Sequence, residues 1–284
     1  MNTIKIGWIG LGNMGIPMAA QLIKADYAVT VYNRSKGKES LLKEMGASTA
    51  ETPKALIAAT EVVIIMVSDD AAVDQVFNDK DGLFGADISN KVIINMSTVS
   101  PAISKEMASI CKEKGGQYLD APVSGSVKQA ETGQLVIMAG GDETAFEQVK
   151  PILEKIGKMA VYLGDASAGN VAKLAINSLL ALYTQGLAET VLFANHQGIK
   201  TEDLLNLLNN GAIANVFTKI KGDAIIADNY KAAFALKHIV KDLNLAKDIG
   251  LESPLAKTAL DTFKAATAKF GEEDLIAVIK HIKE

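Results

Sequence analysis

The chain is poor in the residues that build metal centres and cross-links. Its 284 residues include one cysteine, Cys111, and three histidines, His196, His238 and His281. A lone cysteine excludes a disulfide framework and a cysteine-rich zinc site, and no two histidines stand at a metal-ligand spacing, so no metal site is expected. Neither sign of charge dominates. The 29 basic and 33 acidic residues leave a formal net charge of −4, which gives no overall basic field for nucleic acid. Long apolar runs are also missing: the longest, Val62–Val67, falls far short of the roughly 20 residues that span a bilayer. The opening Met1-Asn2-Thr3-Ile4-Lys5-Ile6 enters a strand pattern directly, so no signal peptide is expected. A soluble, cytoplasmic protein without membrane or nucleic-acid partners is the expectation. What is present is ordinary globular material, 49% hydrophobic and 22% charged. That suffices for a real core, in a length that fits one large domain or two ordinary ones.

The first half alternates β-branched runs (Ile4–Ile9, Ala28–Tyr32, Val62–Val67, Val92–Met96, Leu135–Ala139, Ala160–Leu163) with amphipathic stretches (Met14–Ala25, Lys36–Met45, Pro101–Lys114, Glu143–Ile156). Such alternation predicts βαβ units in a largely parallel, doubly wound sheet covered on both faces. Between Gly115 and Gly140 strands follow one another without a long helix, so the far side of the sheet is expected to be mixed. After Gly164 the strand signal ends. Ser167 to about His196 reads as one helix, apolar nearly all round and therefore to be buried on most of its surface. Shorter helices follow: Thr201–Asn210 with Thr201 as its N-cap, Phe234–Gly250, one opening at Ser253-Pro254, and Glu272–Lys283. The expectation is an α/β fold: a Rossmann-type domain over residues 1–163, then an all-α domain over 164–284 built on the long helix.

The strongest local signal is Gly10-Leu11-Gly12-Asn13-Met14-Gly15. Glycine turns are common, but this one follows a strand and opens an apolar-faced helix, the context a dinucleotide site requires. Gly10 allows the tight turn, Gly12 admits a pyrophosphate to the backbone amides, and Gly15 lets helix and strand pack closely. At the end of the second strand, where a carboxylate would grip a ribose, stand Asn33-Arg34-Ser35 followed by Lys36 and Lys38. A guanidinium and a hydroxyl suit a 2′-phosphate, so the cofactor is read as NADP(H) rather than NAD(H). A solvated basic loop is the plainer alternative.

On the long helix Asn170, Lys173, Asn177 and Thr184 fall within an arc of about 60°, a polar stripe on an apolar rod. The stripe is either the helix's wet side or a functional face. The lack of any histidine or paired-carboxylate candidate for proton transfer favours the second. Asp120-Ala121-Pro122-Val123-Ser124-Gly125-Ser126 ends a strand in a turn whose hydroxyls and amides suit a carboxylate, and Asn95-Met96-Ser97-Thr98 ends another. Lys241-Asp242, taken alone, reads as surface charge.

Together these residues resemble the β-hydroxyacid dehydrogenases, over essentially the whole chain. Gly10–Met18 is similar to that family's GLGxMGxxM signature, and Asp120–Gly125 to its DAPVSG signature. Gly164–Lys173 with Asn177 is similar to GxxGxGxxxKxxxN, although Ser167 stands where glycine is common, and Lys241-Asp242-Leu243 matches KDL. Within the family, Ser126 with the following lysine-containing loop Val127–Glu131, Asn33-Arg34, and Ala233-Phe234-Ala235-Leu236-Lys237-His238 resemble the glyoxylate/succinic semialdehyde reductases. The resemblance implies Lys173 as the catalytic lysine, with Thr98 and Lys241 on the nicotinamide nucleotide and Met66, Val67 and Ser68 along the cofactor groove. It places Ser124, Gly125, Ser126, Asn177, Phe234 and Asp242 toward the substrate. The implied activity is NADPH-dependent reduction of a small carboxylate-bearing aldehyde, with Lys173 protonating the oxygen. The alternatives are oxidation of 3-hydroxyisobutyrate or a related 3-hydroxy acid, and a non-catalytic NADP-binding module. A 6-phosphogluconate dehydrogenase would need a larger helical domain, and imine-reducing relatives usually lack a lysine at this position. The apolarity of the long helix adds an expected homodimer or homotetramer.

Overall fold

The computed structural model describes residues 4–284; Met1–Thr3 of the expected opening strand lie outside the described residues. In chain order the first elements are β1 (Lys5–Ile9), α1 (Gly15–Lys24), β2 (Ala28–Tyr32), α2 (Ser40–Glu44), β3 (Ser48–Thr49), α3 (Pro53–Ala58), β4 (Val62–Ile65) and α4 (Asp70–Asn78). They continue with β5 (Val92–Asn95), α5 (Pro101–Glu113), β6 (Gln117–Asp120), β7 (Val123–Ser124), α6 (Val127–Glu131), β8 (Leu135–Gly141), α7 (Glu143–Ile156) and β9 (Gly157–Tyr162). The helical half comprises α8 (Ala168–His196), α9 (Thr201–Asn210), α10 (Val216–Ile226), α11 (Leu236–Asp248), α12 (Pro254–Phe270) and α13 (Val278–Lys283). The chain divides into two compact units that part within the second turn of α8, at Lys173/Leu174.

In the first unit the strands run β3-β2-β1-β4-β5-β6-β8-β7, with β9 on β8. Pairs from β3 to β6 are parallel, whereas β6–β8 and β7–β8 are antiparallel. The sheet is doubly wound with a mixed far side, as the strand alternation predicts. The pleat sorts side chains between two cores. Ile6, Trp8, Val62, Ile64, Val92 and Ile94 join one cluster with Met18 and Leu22 of α1 and Phe146 and Val149 of α7. Ile9, Val63, Ile65 and Ile93 join the other with Leu56, Phe77 and Met107. Burial on both faces explains why these strands are nearly continuous in Val and Ile.

The order reverses at β1, which pairs with β2 on one side and β4 on the other. This reversal opens a crevice at the carboxyl ends of β1 and β4, the usual ligand site of open α/β sheets.

Three local expectations are corrected. The predicted helix Lys36–Met45 shortens to Ser40–Glu44, because Gly37 takes φ +95°, which breaks a helix. The loop expected at Val127–Glu131 is the helix α6. Thr201 is the first helical residue rather than the N-cap, and its hydroxyl exchanges hydrogen bonds with the Asn195 amide (3.1 and 3.3 Å).

The second unit is all helical apart from one isolated bridge, Ala235–Asp274. Its core joins Ala181, Leu187, Ala188 and Val191 of α8 to Leu236, Ile239, Leu243, Leu260, Phe263 and Ile276. Along α8 the polar Asn170, Asn177, Ser178 and Thr184 are buried. Val171, Ile176, Leu179, Tyr183 and Phe193 are instead 43–67% exposed. The expected burial of the helix's apolar surface is therefore incomplete: Asn170, Asn177 and Thr184 of the polar stripe are covered, Lys173 is half-buried, and an apolar face is bare.

Candidate active site

The turn after β1 is built for a phosphate. Gly10 sits at φ +99°, and a Cβ there would fall 2.1 Å from the Met66 carbonyl oxygen. A Cβ on Gly15 would fall 2.0 Å from the Gly10 carbonyl oxygen, so α1 presses directly on the turn. The buried Trp8 indole donates to that same carbonyl (3.0 Å). Gly12 differs: it is exposed, and a Cβ would meet nothing within 4 Å. No protein atom needs Gly12 to be small; the space is open beside the start of α1, which has no side-chain cap. Helix amides left in this way suit a pyrophosphate. Gly10, Leu11, Gly12, Asn13, Met14 and Gly15 therefore fit a dinucleotide, and the half-buried Met66 and Val67 and the exposed Ser68 follow β4 on the opposite side of the crevice.

Asn33 holds the rim rather than facing solvent. Its Oδ1 accepts from the Leu11 amide (2.9 Å), and its Nδ2 donates to the Ser35 carbonyl (2.7 Å). Arg34 and Ser35 are exposed, and the Arg34 guanidinium donates to Gln75 Oε1 (3.1 Å). Beside them a cavity of about 200 Å³ is lined by Val31, Asn33, Lys36, Glu39 and Glu51, among others.

The carboxyl ends of β5 and β6 form a second array. Ser97 Oγ accepts from the Val67 amide (2.9 Å), while the Ser97 amide donates to Asn95 Oδ1 (3.0 Å). Thr98 is half-buried between Ser97 and Val99. At the end of β6, Asp120 is fully buried. Its two oxygens accept from the Ser167 and Asn170 amides, each at 2.7 Å, at the start of α8. Burial pushes its carboxyl up to about 6, against the pull of these hydrogen bonds. Ser167 holds φ +86° to enter the helix, a glycine-favoring conformation. A Cβ on Gly169 would lie 2.6 Å from the Asp120 carbonyl oxygen, so only glycine lets α8 come this close. Lys173, half-buried, follows within the next turn.

The Ser124–Ser126 turn leaves β7 with Gly125 exposed at φ +136°. The Ser126 amide donates to Gln129 Oε1 (2.8 Å), and the Ser126 hydroxyl donates to the same oxygen. Two donors thus converge on one acceptor position, the geometry a carboxylate oxygen would use.

In the second unit the Asp242 carboxylate of α11 is 2% exposed, not the surface charge that a lone Lys-Asp pair suggests. Its Oδ2 accepts from Asn177 Nδ2 (2.6 Å), and Lys241 Nζ lies 3.1 Å from Oδ1. Phe234 is half-buried, and its ring stacks with His238 at 6.2 Å. Burial, helped by the charges of Lys237 and Lys241, lowers the His238 imidazole's affinity for a proton. Sequence reasoning missed Asp120 and Asn170 as partners, since their hydrogen bonds span 50 residues. A signal for α6 was available: Ser126 with Gln129 three residues later has the spacing of a capping box.

Among the described residues no cluster of His, Cys, Asp or Glu suits a metal ion, and no helix is long and apolar enough to cross a membrane. The fold and its glycine cradle define an oxidoreductase that binds a nicotinamide dinucleotide. Residues 5–164 match the family described as the NAD binding domain of 6-phosphogluconate dehydrogenase. Residues 167–282 match that described as NAD-binding of NADP-dependent 3-hydroxyisobutyrate dehydrogenase. The chain is 37% identical to glyoxylate/succinic semialdehyde reductase 1 of Arabidopsis thaliana over 99% of both chains. It is 34% identical to 2-hydroxy-3-oxopropionate reductase of Escherichia coli over 95% of this chain and 94% of that one. The solved structure of Mycobacterium tuberculosis 3-hydroxyisobutyrate dehydrogenase with L-serine matches with a TM-score of 0.90 at 28% identity, covering 99% of each chain. The chain belongs to the β-hydroxyacid dehydrogenase family, enzymes that act on hydroxy and aldehyde groups.

Proposed function

We propose that the protein reduces a small carboxylate-bearing aldehyde, of the glyoxylate or succinic semialdehyde type, using NADPH. When bound, the reduced nicotinamide supplies the hydride. Negative charge then grows on the aldehyde oxygen, and the Lys173 ammonium stabilises it and donates a proton there as general acid. Lys173 is left as the amine and regains its proton from water. Ser124, Gly125 and Ser126 clamp the substrate carboxylate, with the Ser126 amide and hydroxyl turning from Gln129 to the ligand. Asn177, oriented by Asp242, is assigned to the substrate together with Asp242 and Phe234. Thr98 and Lys241 are assigned to the nicotinamide nucleotide. Arg34 and Ser35 select the 2′-phosphate, Arg34 by exchanging Gln75 for it.

The observation that carries this reading is the position of Lys173 along α8. It follows by one turn the residues that bind α8 to the carboxyl ends of β5 and β6, the edge that also bears the glycine cradle. The test is Lys173→Ala. We expect kcat for aldehyde reduction to fall by about 10²–10⁴-fold, with NADPH affinity within about threefold of wild type. A variant of undiminished activity rules out the assignment. Rates with glyoxylate and with succinic, methylmalonate and tartronate semialdehydes, each with NADPH and NADH, identify the substrate and the cofactor preference.

A second reading, oxidation of 3-hydroxyisobutyrate or a related 3-hydroxy acid, is favored by the family match over residues 167–282. Initial rates in both directions separate the two. The bare apolar face of α8 supports assembly as a homodimer or homotetramer, which sedimentation measures.

A further inference from the structure

The start of α8 is held by more than helix geometry. Asn170 is fully buried, and both ends of its amide are used. Oδ1 accepts from the Val99 amide (3.0 Å), just past the carboxyl end of β5. Nδ2 donates to Ser104 Oγ on α5 (3.2 Å) and, more distantly, to Asp120 Oδ2 (3.4 Å). Asp120 in turn receives the Ser167 and Asn170 backbone amides. Three elements, β5, β6 and α5, therefore grip the first turn of α8. The gripped residue Val99 adjoins Thr98, and the neighboring Ser97 hydroxyl holds the Val67 amide on the cofactor groove.

We infer that Asn170, clamped between Asp120, Ser104 and the Val99 amide, is a positioning residue that sets the height and rotation of Lys173 relative to the Ser97–Thr98 strand end. This rests on the proposed role of Lys173. Three residues of helix separate the two side chains, a rise of about 4.5 Å and a rotation of about 300°, so a slip or turn at Asn170 passes rigidly to Lys173. A proton donor tolerates little displacement: about 1 Å can cost about 100-fold in rate. Nothing about the clamp requires contact with substrate. Asn170 is itself fully buried, and its Nδ2 and Oδ1 are both engaged inside the protein.

The test uses the full chain with Asn170→Ala and the milder Ser104→Ala, which removes only one hydroxyl of the clamp. Rates are expressed per NADPH-binding site, counted by fluorescence titration, so that misfolded protein drops out of the comparison. For Asn170→Ala we expect kcat per site to fall at least tenfold, with aldehyde KM and NADPH affinity within about twofold. A primary isotope effect with 4-deuterated NADPH should be at least as large as in wild type, because hydride and proton transfer become slower. Ser104→Ala should show the same split, reduced to about threefold, and it decides the matter if Asn170→Ala yields no binding sites. A merely structural role would lower the number of sites and leave kcat per site and the isotope effect unchanged; that result overturns the inference. Lys173→Ala separates the two levels. If it is inactive while the clamp variants keep wild-type kcat per site, the clamp alone is refuted. If it is active, the proposed reaction chemistry fails first.

Discussion

The buried Lys221–Asp274 pair offers a sharp test of how the helical unit is held together. Lys221 Nζ lies 2.7 Å from Asp274 Oδ1, and both side chains are less than a tenth exposed. Asp274 also accepts the amides of Ala233 (3.0 Å), Phe234 (3.2 Å) and Ile276 (3.2 Å). It therefore ties α10 to the segment that carries Phe234. Lys221→Met keeps the aliphatic stem and removes the charge, leaving a buried carboxylate with only neutral amide partners. Breaking a buried pair from one side costs about 3–5 kcal/mol. At roughly 2–4 °C per kcal/mol for a large cooperative unit, the melting temperature should fall by roughly 6–20 °C. Adding Asp274→Asn should cost less than the two single changes summed, because the orphaned charge is removed. The exposed Lys269–Glu284 pair is the internal control, and Lys269→Met should leave the melting curve where it is. Should Lys221→Met lower stability by less than about 1 kcal/mol in urea titrations, water reaches the carboxylate and the pair is not the anchor of the Phe234 segment.

Three further outcomes follow from particular geometries. Gly12→Ala should fold with unchanged stability, since its Cβ meets nothing, yet lose about tenfold or more in NADPH affinity by calorimetry; Gly15→Ala, whose Cβ would sit 2.0 Å from the Gly10 carbonyl oxygen, should lower stability as well. Ser167→Gly should raise stability by about 1 kcal/mol in urea titrations by relieving the positive φ, and a decrease would mean that the hydroxyl contributes more than the backbone strain costs. The Asp120 carboxyl, raised from 3.8 to about 6 in the folded chain, favors folding most below pH 3.8 and loses that contribution as pH rises through about 6. Between pH 4 and 7 wild type should lose up to about 3 kcal/mol relative to Asp120→Asn; parallel stability profiles would show that this carboxyl titrates normally.

What could be read from residue order divides along a physical line. Strands buried on both faces and a glycine turn between β1 and α1 are local demands, written in neighboring residues, so β2 and α7 have the ends that the apolar pattern predicts. The shortened α2 was legible too, had Gly37 been weighted as a breaker. Asn33 shows where local reasoning stops. Its position after β2 marks it as a cofactor residue, but not that its side chain also joins Leu11 to Ser35 and shapes the rim. The pairings that matter most around Lys173, Asp120 with Asn170 and Asn170 with Val99, connect residues 50 and 71 positions apart. The stripe on α8 showed that Asn170 was unusual, and helix periodicity gave its direction, but no periodicity reveals what stands opposite. The same limit explains the bare apolar face. Periodicity showed a helix too apolar to face water, and the fold covers the polar stripe instead. Val171, Leu179, Tyr183 and Phe193, 43–67% exposed, are the apolar face left bare in the single chain, and it is this face that the proposed homodimer or homotetramer would cover.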